Sequence, residues 1–261
     1  MMSISKKAIL ISYPGEPDGK NYCPGVFADI ENYKNFLCSP LGGGWHFDKD
    51  SDVCSEIKIF PSPKRNILLP YLERLKSYDY IIIAFCGHGR YSRLYQQTII
   101  QINEHEEVRE SELRDFGIRE NLVMDCCRVL LPDIVTDAME HFGLRKASAH
   151  HRELNFVECR KYYEKSISEC CPGCNVLYGC NVGESSGESK SSGGYYSSSL
   201  FRVARDWERE KNESLPFDKY SVLKIPRAHS LTVPLVKAKK ADQTPQISPN
   251  AIDFPWAIAS Y

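Results

Sequence analysis

The chain has 261 residues, of which 42% are hydrophobic and 26% are charged, values that are ordinary for globular proteins. This length suffices for one large domain with a substantial core. The formal net charge of −1 creates no general attraction to nucleic acid or to an anionic membrane, so we expect neither as a main partner.

The cysteine content and the start of the chain indicate the compartment. The eleven cysteines are odd in number and irregularly spaced, whereas a secreted disulfide framework usually has an even number. The apolar stretch before Tyr13-Pro14-Gly15 is too short for a signal core, and no stretch approaches the ~18 to 20 apolar residues that span a membrane. We therefore expect a reduced, cytoplasmic protein.

Hydrophobic periodicity predicts alternating strands and helices along the first half of the chain. The predicted elements are a strand at 6–13, a helix at 26–37, a strand at 56–60, a helix at 64–77 and a strand that ends near residue 86. A hairpin at 98–108, a short helix from 111 and a strand at 121–124 follow. This alternation predicts an α/β domain with a mainly parallel sheet.

Two of the predicted strands end in residues that carry chemistry. The run Ile81–Phe85 is apolar without alternation, which indicates a strand covered on both faces, and it leads into Gly87-His88-Gly89. The strand at 121–124 leads into Asp125-Cys126-Cys127. Ligands bind beyond the carboxyl ends of parallel strands, so the two ends together predict a Cys/His pair. Each residue alone is more commonly structural, a turn histidine or a buried cysteine.

The second half of the chain is less regular in sequence. The segment 130–174 reads as helical and then strongly basic, and a strand is predicted at 175–178. The Ser/Gly-rich run that ends at Ser199 is expected to be mobile. An amphipathic helix is predicted at 200–211, and the chain after Asn212 is expected to be mostly irregular, with apolar stretches at 220–225 and 230–236.

One cysteine pair has the spacing of half a zinc knuckle. Cys171 and Cys174 could be joined by Cys159, His150 or His151. No second paired unit follows, so the sequence favours a reduced turn without metal.

The order of these elements and motifs resembles the caspase-like cysteine peptidases, and within them the bacterial caspase-like and metacaspase branch. The similarity covers about residues 6 to 257. The matching motifs are Cys86-Gly87-His88-Gly89, Asp125-Cys126-Cys127, Tyr178-Gly179-Cys180 with Ser185-Ser186-Gly187-Glu188, and Gln243–Ser248 with Phe254-Pro255. The sequence departs from the family at Arg128-Val129-Leu130, where metacaspases have His-Ser-Gly.

The resemblance implies a caspase-like three-layer α/β/α sandwich around a central, mostly parallel sheet. It also implies that residues 1–261 form one catalytic domain. Its parts would be a large-subunit-like part (1–142), a basic linker (143–174) and a small-subunit-like part (175–261).

The resemblance further implies a mechanism without a cofactor. Cys127 would be the nucleophile and His88 would move protons, while the N–H groups of Gly89 and Cys127 would bind the oxyanion. Cys126 would point to the other face of its strand, because side chains alternate along a strand.

In metacaspases, acidic residues at the positions of Asp125 and Glu188 favour arginine or lysine before the scissile bond, whereas true caspases use arginines to hold aspartate. The resemblance therefore implies cleavage after basic residues. In the alternative reading, Asp125 caps a turn and Glu188 only solvates a Ser-rich loop.

Caspase-like enzymes are often cut between their two parts, so basic residues of the linker are candidate self-cleavage sites. An equally weighted alternative is a solvated helical face. The candidates are Arg145, Lys146, Arg152, Arg160 and Lys161.

Bacterial members of this group act as effectors in antiphage defence or regulated cell death, which we take as the expected role on a protein substrate. A partner protein, a small signal molecule or calcium is a candidate activator. The main alternative is a catalytically silent or ligand-gated signalling module. A third is a structural zinc protein built on Cys171 and Cys174.

Overall fold

The computed structural model of the chain describes residues 4–130, 154–214, 216 and 219–261. The first half contains β1 (Lys6–Tyr13), α1 (Gly25–Cys38), β2 (Ile57–Pro61), α2 (Arg65–Glu73), β3 (Tyr80–Gly87), β4 (Gly89–Ser92), β5 (Gln97–Gln101), β6 (Glu107–Arg109), a 3-10 turn (Glu110–Leu113) and β7 (Arg119–Asp125). The second half contains α3 (Phe156–Ser168), β8 (Gly173–Tyr178), β9 (Glu188–Ser189), β10 (Gly193–Gly194), α4 (Tyr195–Ser214), β11 (Tyr220–Lys224), α5 (Ile225–Lys239), β12 (Gln246–Ile247) and β13 (Pro255–Ser260).

A six-stranded sheet forms the centre of the molecule, in the order β12-β8-β7-β3-β1-β2. Its strands run parallel except for β12, which pairs antiparallel with β8. The apolar run Ile81–Phe85 lies in β3, between β1 and β7, and is buried throughout. The prediction of a mostly parallel sheet with this run at its centre is confirmed.

Each face of the sheet carries its own hydrophobic core. Ile82 and Ala84 pack with residues of α1, α3, α4 and α5 on one face. Ile81, Ile83 and Phe85 pack on the other face with α2 and with the small antiparallel sheet β4-β5-β6. The strand therefore needs apolar side chains at every position, and the molecule has three layers, as the resemblance implies.

The prediction of a mobile Ser/Gly-rich run is wrong. The run forms the short pair β9 and β10, and α4 begins at Tyr195, so that Ser197 and Ser199 are fully buried. The Ser197 N–H donates to the Asp125 carboxylate at 2.9 Å. A distant acceptor thus orders a segment whose own composition favours disorder.

The prediction of a mostly irregular chain after Asn212 is also wrong. Residues Tyr220–Lys224 form β11, which pairs antiparallel with the C-terminal β13, and α5 begins at the next residue, Ile225. Prolines broke the helical pattern in the sequence, but one of them, Pro226, lies in the first turn of α5, where proline is compatible with a helix.

Part of the segment 143–174, which we expected to be a linker, is a packed helix. In α3, Cys159 is fully buried, and the Arg160 guanidinium bonds the Glu56 carboxylate at 2.7 and 2.9 Å and the Gly44 carbonyl at 2.6 Å. Lys161 pairs only locally with Glu158, three residues earlier. The self-cleavage candidates Arg145, Lys146 and Arg152 lie outside the described residues.

The cysteines of the predicted zinc alternative do not converge. Cys171 is exposed, the Cys174 thiol lies 3.8 Å from the Glu120 carboxylate, and Cys159 is buried under the Ser260 carbonyl. His150 and His151 lie outside the described residues. Within the described part of the chain, no group of three or more Cys, His, Asp or Glu side chains is placed to hold a metal ion.

Among the helices that the structure describes, none combines the length and the apolar character that crossing a bilayer requires.

Candidate active site

Parallel pairing brings the ends of β3 and β7 together. The last registered pair of the two strands is Cys86 with Asp125, and His88 and Cys127 each follow two residues later. Neighbouring strands lie about 4.8 Å apart, so the two residues leave the sheet side by side. A Cβ atom at Gly89 would lie 2.6 Å from Cys126 Sγ and 3.0 Å from the Cys127 carbonyl oxygen. Glycine is therefore required where β4 begins beside the cysteine turn.

The two adjacent cysteines have different environments. Cys126 is buried in the core on the α2 side of the sheet, and this burial raises the pKa of its thiol well above the ordinary value. Cys127 is half-buried and lies beyond the carboxyl end of β7. Of the two thiols, Cys127 is therefore the one that a substrate can reach.

The Cys127 sulfur is held by the loop that follows β8. The Ser186 N–H points at Cys127 Sγ from 3.3 Å. A backbone N–H aimed at sulfur stabilises negative charge there, so this contact favours the thiolate, which is the nucleophilic form. Sequence reasoning named Ser186 within a motif but missed this contact, because it joins residues that are distant along the chain.

His88 is oriented by the loop after β1. Its Nε2 lies 3.3 Å from the Pro14 carbonyl oxygen, to which a protonated Nε2 donates. Gly15, at φ +85°, passes so close that a Cβ there would lie 2.8 Å from His88 Nε2. Burial lowers the pKa of His88, which favours a neutral ring at neutral pH. With its proton on Nε2, the neutral ring presents Nδ1 as a proton acceptor.

Arg128 replaces the histidine of the family motif and has a structural role. Its guanidinium lies 3.9 Å from the centre of the Tyr178 ring and donates to Thr98 Oγ1 at 3.0 Å and to the Cys180 carbonyl at 3.3 Å. These contacts tie the turn after Cys127 to β5 and to the loop after β8. Arg128 in place of histidine therefore changes how the turn is anchored, while Cys127 stays at the carboxyl end of the sheet.

Asp125 lies beneath the cysteine and is almost fully buried. Its carboxylate accepts hydrogen bonds from Ser186 Oγ at 2.8 Å and from the Ser197 N–H at the start of α4 at 2.9 Å. Burial raises its pKa, although these donors partly oppose the shift. Asp125 thus accepts an N–H group from the first turn of α4, and its other partner, Ser186, also contacts the Cys127 sulfur.

A second buried carboxylate, Asp29, belongs to the same cluster. It projects from α1 and accepts the Gly194 N–H at 3.0 and 2.9 Å. Burial raises its pKa well above the ordinary value, and the charge of Asp125 adds to the effect. The sequence held a signal for it, because Asp29 lies three residues after Val26 and four before Tyr33, on the apolar face of the helix.

Glu188 completes the cluster at its more exposed side. It is half-buried and accepts the Gly25 N–H at 3.4 Å. Burial raises its pKa to about 7, and the charge of Asp125 contributes. Lys239, which donates to Ser198 Oγ at 3.0 Å, lies near enough to attract Asp125 and Asp29. Three carboxylates thus converge beside Cys127, two of them those predicted from the sequence.

Gln243 supports the loop that carries Ser186. Its side-chain oxygen accepts the Gly187 N–H at 2.9 Å, and its nitrogen donates to the Gly179 carbonyl at 2.8 Å and to Ser186 Oγ at 3.0 Å. This residue belongs to the C-terminal motif singled out in the sequence. That motif therefore holds the loop after β8, which contacts Cys127.

Comparisons with known proteins show the family and the fold of the chain. A model of the caspase domain matches residues 5–254 of the chain. A search of the curated proteins finds no significant match. Among solved structures, caspase-1 from Spodoptera frugiperda matches with a TM-score of 0.55 at 10% sequence identity, over 93% of this chain and 87% of that chain. At this identity the likeness shows the fold, and the fold prediction is confirmed.

Proposed function

Because the chain belongs to the caspase-domain family of cysteine peptidases, we propose that it is an endopeptidase that cleaves after arginine or lysine. Cys127 is the nucleophile and His88 is the proton carrier. The family implies protein substrates.

The chemistry follows from the two strand ends. His88 accepts the proton of the Cys127 thiol, and the sulfur forms a bond to the peptide carbonyl carbon. The N–H groups of Gly89 and Cys127 hold the oxyanion. His88 then gives its proton to the leaving amine, and the C–N bond breaks. Water, deprotonated by His88, hydrolyses the remaining thioester and restores the thiol.

The convergence of Asp29, Asp125 and Glu188 beside Cys127 is the observation that carries the specificity. A substrate guanidinium or ammonium group would stabilise the ionised forms of these carboxyl groups, whose pKa values are raised by burial. An aspartate side chain would add a further negative charge, which such a pocket rejects. The pocket therefore suits a basic residue immediately before the scissile bond.

The structure also bears on self-cleavage. Arg160 and Lys161 lie within α3, so cleavage after either residue requires that helix to unfold. Arg145, Lys146 and Arg152 remain the candidates that we propose for self-processing. The effector role in antiphage defence or cell death, and its activator, stay predictions from the resemblance.

The specificity is tested with peptides that carry an aminocoumarin leaving group and differ only in their last residue, namely Arg, Lys, Ala or Asp. We expect kcat/KM for Arg and Lys to exceed that for Ala by at least about tenfold, as for other charge-paired contacts, and Asp to be the poorest substrate. Preferred turnover of the Asp peptide would contradict the proposal.

A further inference from the structure

The face of the molecule beyond His88 contains a groove of about 710 Å³. Its lining includes residues of the loop after β1, the start of α2 and the tip of the β5–β6 hairpin. Its aromatic lining residues include Tyr13, Tyr22 and Phe27, which projects from α1 and is 56% exposed. A volume of this size is typical of sites that enclose a ligand.

The strand order fixes where this groove lies relative to the catalytic pair. Across the sheet, Cys127 lies two residues after β7, and His88, Pro14 and Ser62 directly follow β3, β1 and β2, in that order. Pro14 contacts His88. Pro14 and Ser62 both line the groove. The groove therefore begins directly behind the loop that orients the histidine.

Asp125 ends β7, on one side of His88, and bonds Ser197 of α4, whereas the groove lies on the β1 and β2 side of His88 and is lined by the ends of these strands, the start of α2 and the tip of the β5–β6 hairpin. The start of α1 lies between the two, because Gly25 contacts Glu188 and Phe27 lines the groove. A peptide bound across Cys127 with its basic residue in the acidic pocket must continue past His88. The leaving amine also lies on this side, because His88 protonates it.

We propose that this groove binds the substrate residues that follow the scissile bond. This inference rests on the proposed function and extends its specificity to the leaving-group side. Phe27 and Tyr22 contact apolar parts of that segment, and the groove accounts for how the new N-terminus of the product is held until it departs.

The charges of the groove favour a basic residue in this segment. Its lining includes the carboxylates of Glu16, Glu104 and Glu106, one lysine, Lys64, and one histidine, His105. Glu106 is engaged by its own hairpin and by the start of α2. Glu16 and Glu104 are exposed and both act electrostatically on the Tyr13 hydroxyl at the mouth of the groove.

The experiment compares three substrates that are identical up to and including arginine. One carries an aminocoumarin directly after arginine. The other two are extended peptides that continue with four amino acids and differ only at the second of these, which is lysine in one and glutamate in the other. The measured ratio is the kcat/KM of an extended peptide divided by that of the aminocoumarin substrate. We expect this ratio to fall about tenfold in Phe27→Ala, because a half-buried phenyl contact is lost. We expect a preference of about threefold for lysine over glutamate, which Glu104→Gln removes.

Glu73→Gln is the matched control, since Glu73 lies exposed on α2 and pairs with Lys76 away from the groove. It should leave both ratios as in the wild type. If the aminocoumarin substrate is cleaved but both groove variants keep wild-type ratios, the groove assignment is wrong and the proposed function stands. If none of the substrates is cleaved, even in cell extract, the proposed function fails and this inference fails with it.

Discussion

Cys126 and Cys127 are adjacent thiols that the β7 strand directs to different surroundings. One lies in the core with a raised pKa, and the other receives the Ser186 N–H at the sheet edge. The proposed reactivity of Cys127 therefore rests on its exposure and on one backbone donor.

Removal of the Cys127 thiol should abolish turnover. In Cys127→Ala we expect kcat to fall by at least about 10³-fold, since the covalent route is lost. Hydrolysis of an arginyl aminocoumarin peptide measures it.

Cys126→Ala is the control for this substitution. It removes a buried sulfur, so it should lower thermal stability and keep most of the activity. Full activity in Cys127→Ala, or loss of activity confined to Cys126→Ala, would contradict the assignment.

Glu188 gives the acidic pocket a pH dependence near neutrality. With a pKa of about 7, the Glu188 carboxyl group is protonated in acid solution when the pocket is empty. It must lose this proton before it can pair with a basic side chain of the substrate. The kcat/KM ratio of an arginine over a glutamine substrate, which cancels the titration of the catalytic pair, should therefore rise with pH through about 7 and level off above about pH 8.

Glu188→Gln should flatten that profile and lower the ratio at pH 8 about tenfold, the usual effect of removing one charged hydrogen-bond partner. Glu31→Gln, on the exposed side of α1, should keep the wild-type profile. A rising profile that persists unchanged in Glu188→Gln would refute the role of this carboxyl group.

Sequence reasoning could find His88, Cys127, Asp125 and Glu188 because each lies in a recognisable motif. It missed the role of Pro14, which acts through its backbone carbonyl, and it named Ser186 within a motif without assigning the contact that its backbone N–H makes with Cys127. Asp29 was also missed, although its position on the apolar face of α1 marked it as buried. A buried carboxylate on a helix core face is therefore the signal to use.

At the scale of elements, α3 is fixed to the sheet by a cluster of charges. Lys6 of β1 is buried and lies 2.5 Å from Glu164 and 3.3 Å from Glu56, while Arg160 bonds both carboxylates. Two cations thus balance two carboxylates in a partly dry environment, and loss of one leaves the others uncompensated.

Arg160→Ala should therefore lower the stability of the fold by about 2 kcal/mol. For a chain of this size this corresponds to a fall in Tm of about 5 °C. Thermal unfolding followed by circular dichroism measures the change.

Lys161→Ala, the next residue of the same helix, makes no contact with the cluster and should keep the wild-type Tm. An equal loss in both variants would mean that helix propensity, and not the charge cluster, is responsible.

The accuracy of the element predictions follows local signals. The buried strands were predictable because unbroken or alternating apolar runs report their own burial. The start of α4 and the whole of α5 were not. Ser197 is ordered by the distant Asp125, and two prolines interrupt the pattern of α5. These elements depend on contacts that no local window contains.

At the scale of the whole molecule, both parts of the chain build the site. The first half supplies His88, Cys127 and two carboxylates, while the segment after β8 supplies Ser186, Glu188 and Gln243. The proposed pocket and nucleophile therefore have all their partners only when the loop after β8 packs against the end of β7. An activator that stabilises this packing would control both at once.

The most direct test is the intact mass of the protein after incubation with peptidyl trapping reagents that carry either arginine or aspartate before a thiol-reactive group. We predict one adduct from the arginine reagent, located on Cys127 by peptide mapping and absent in Cys127→Ala, with or without cell extract as a source of activator. Preferential labelling by the aspartate reagent, or an adduct that persists in Cys127→Ala, would contradict the account.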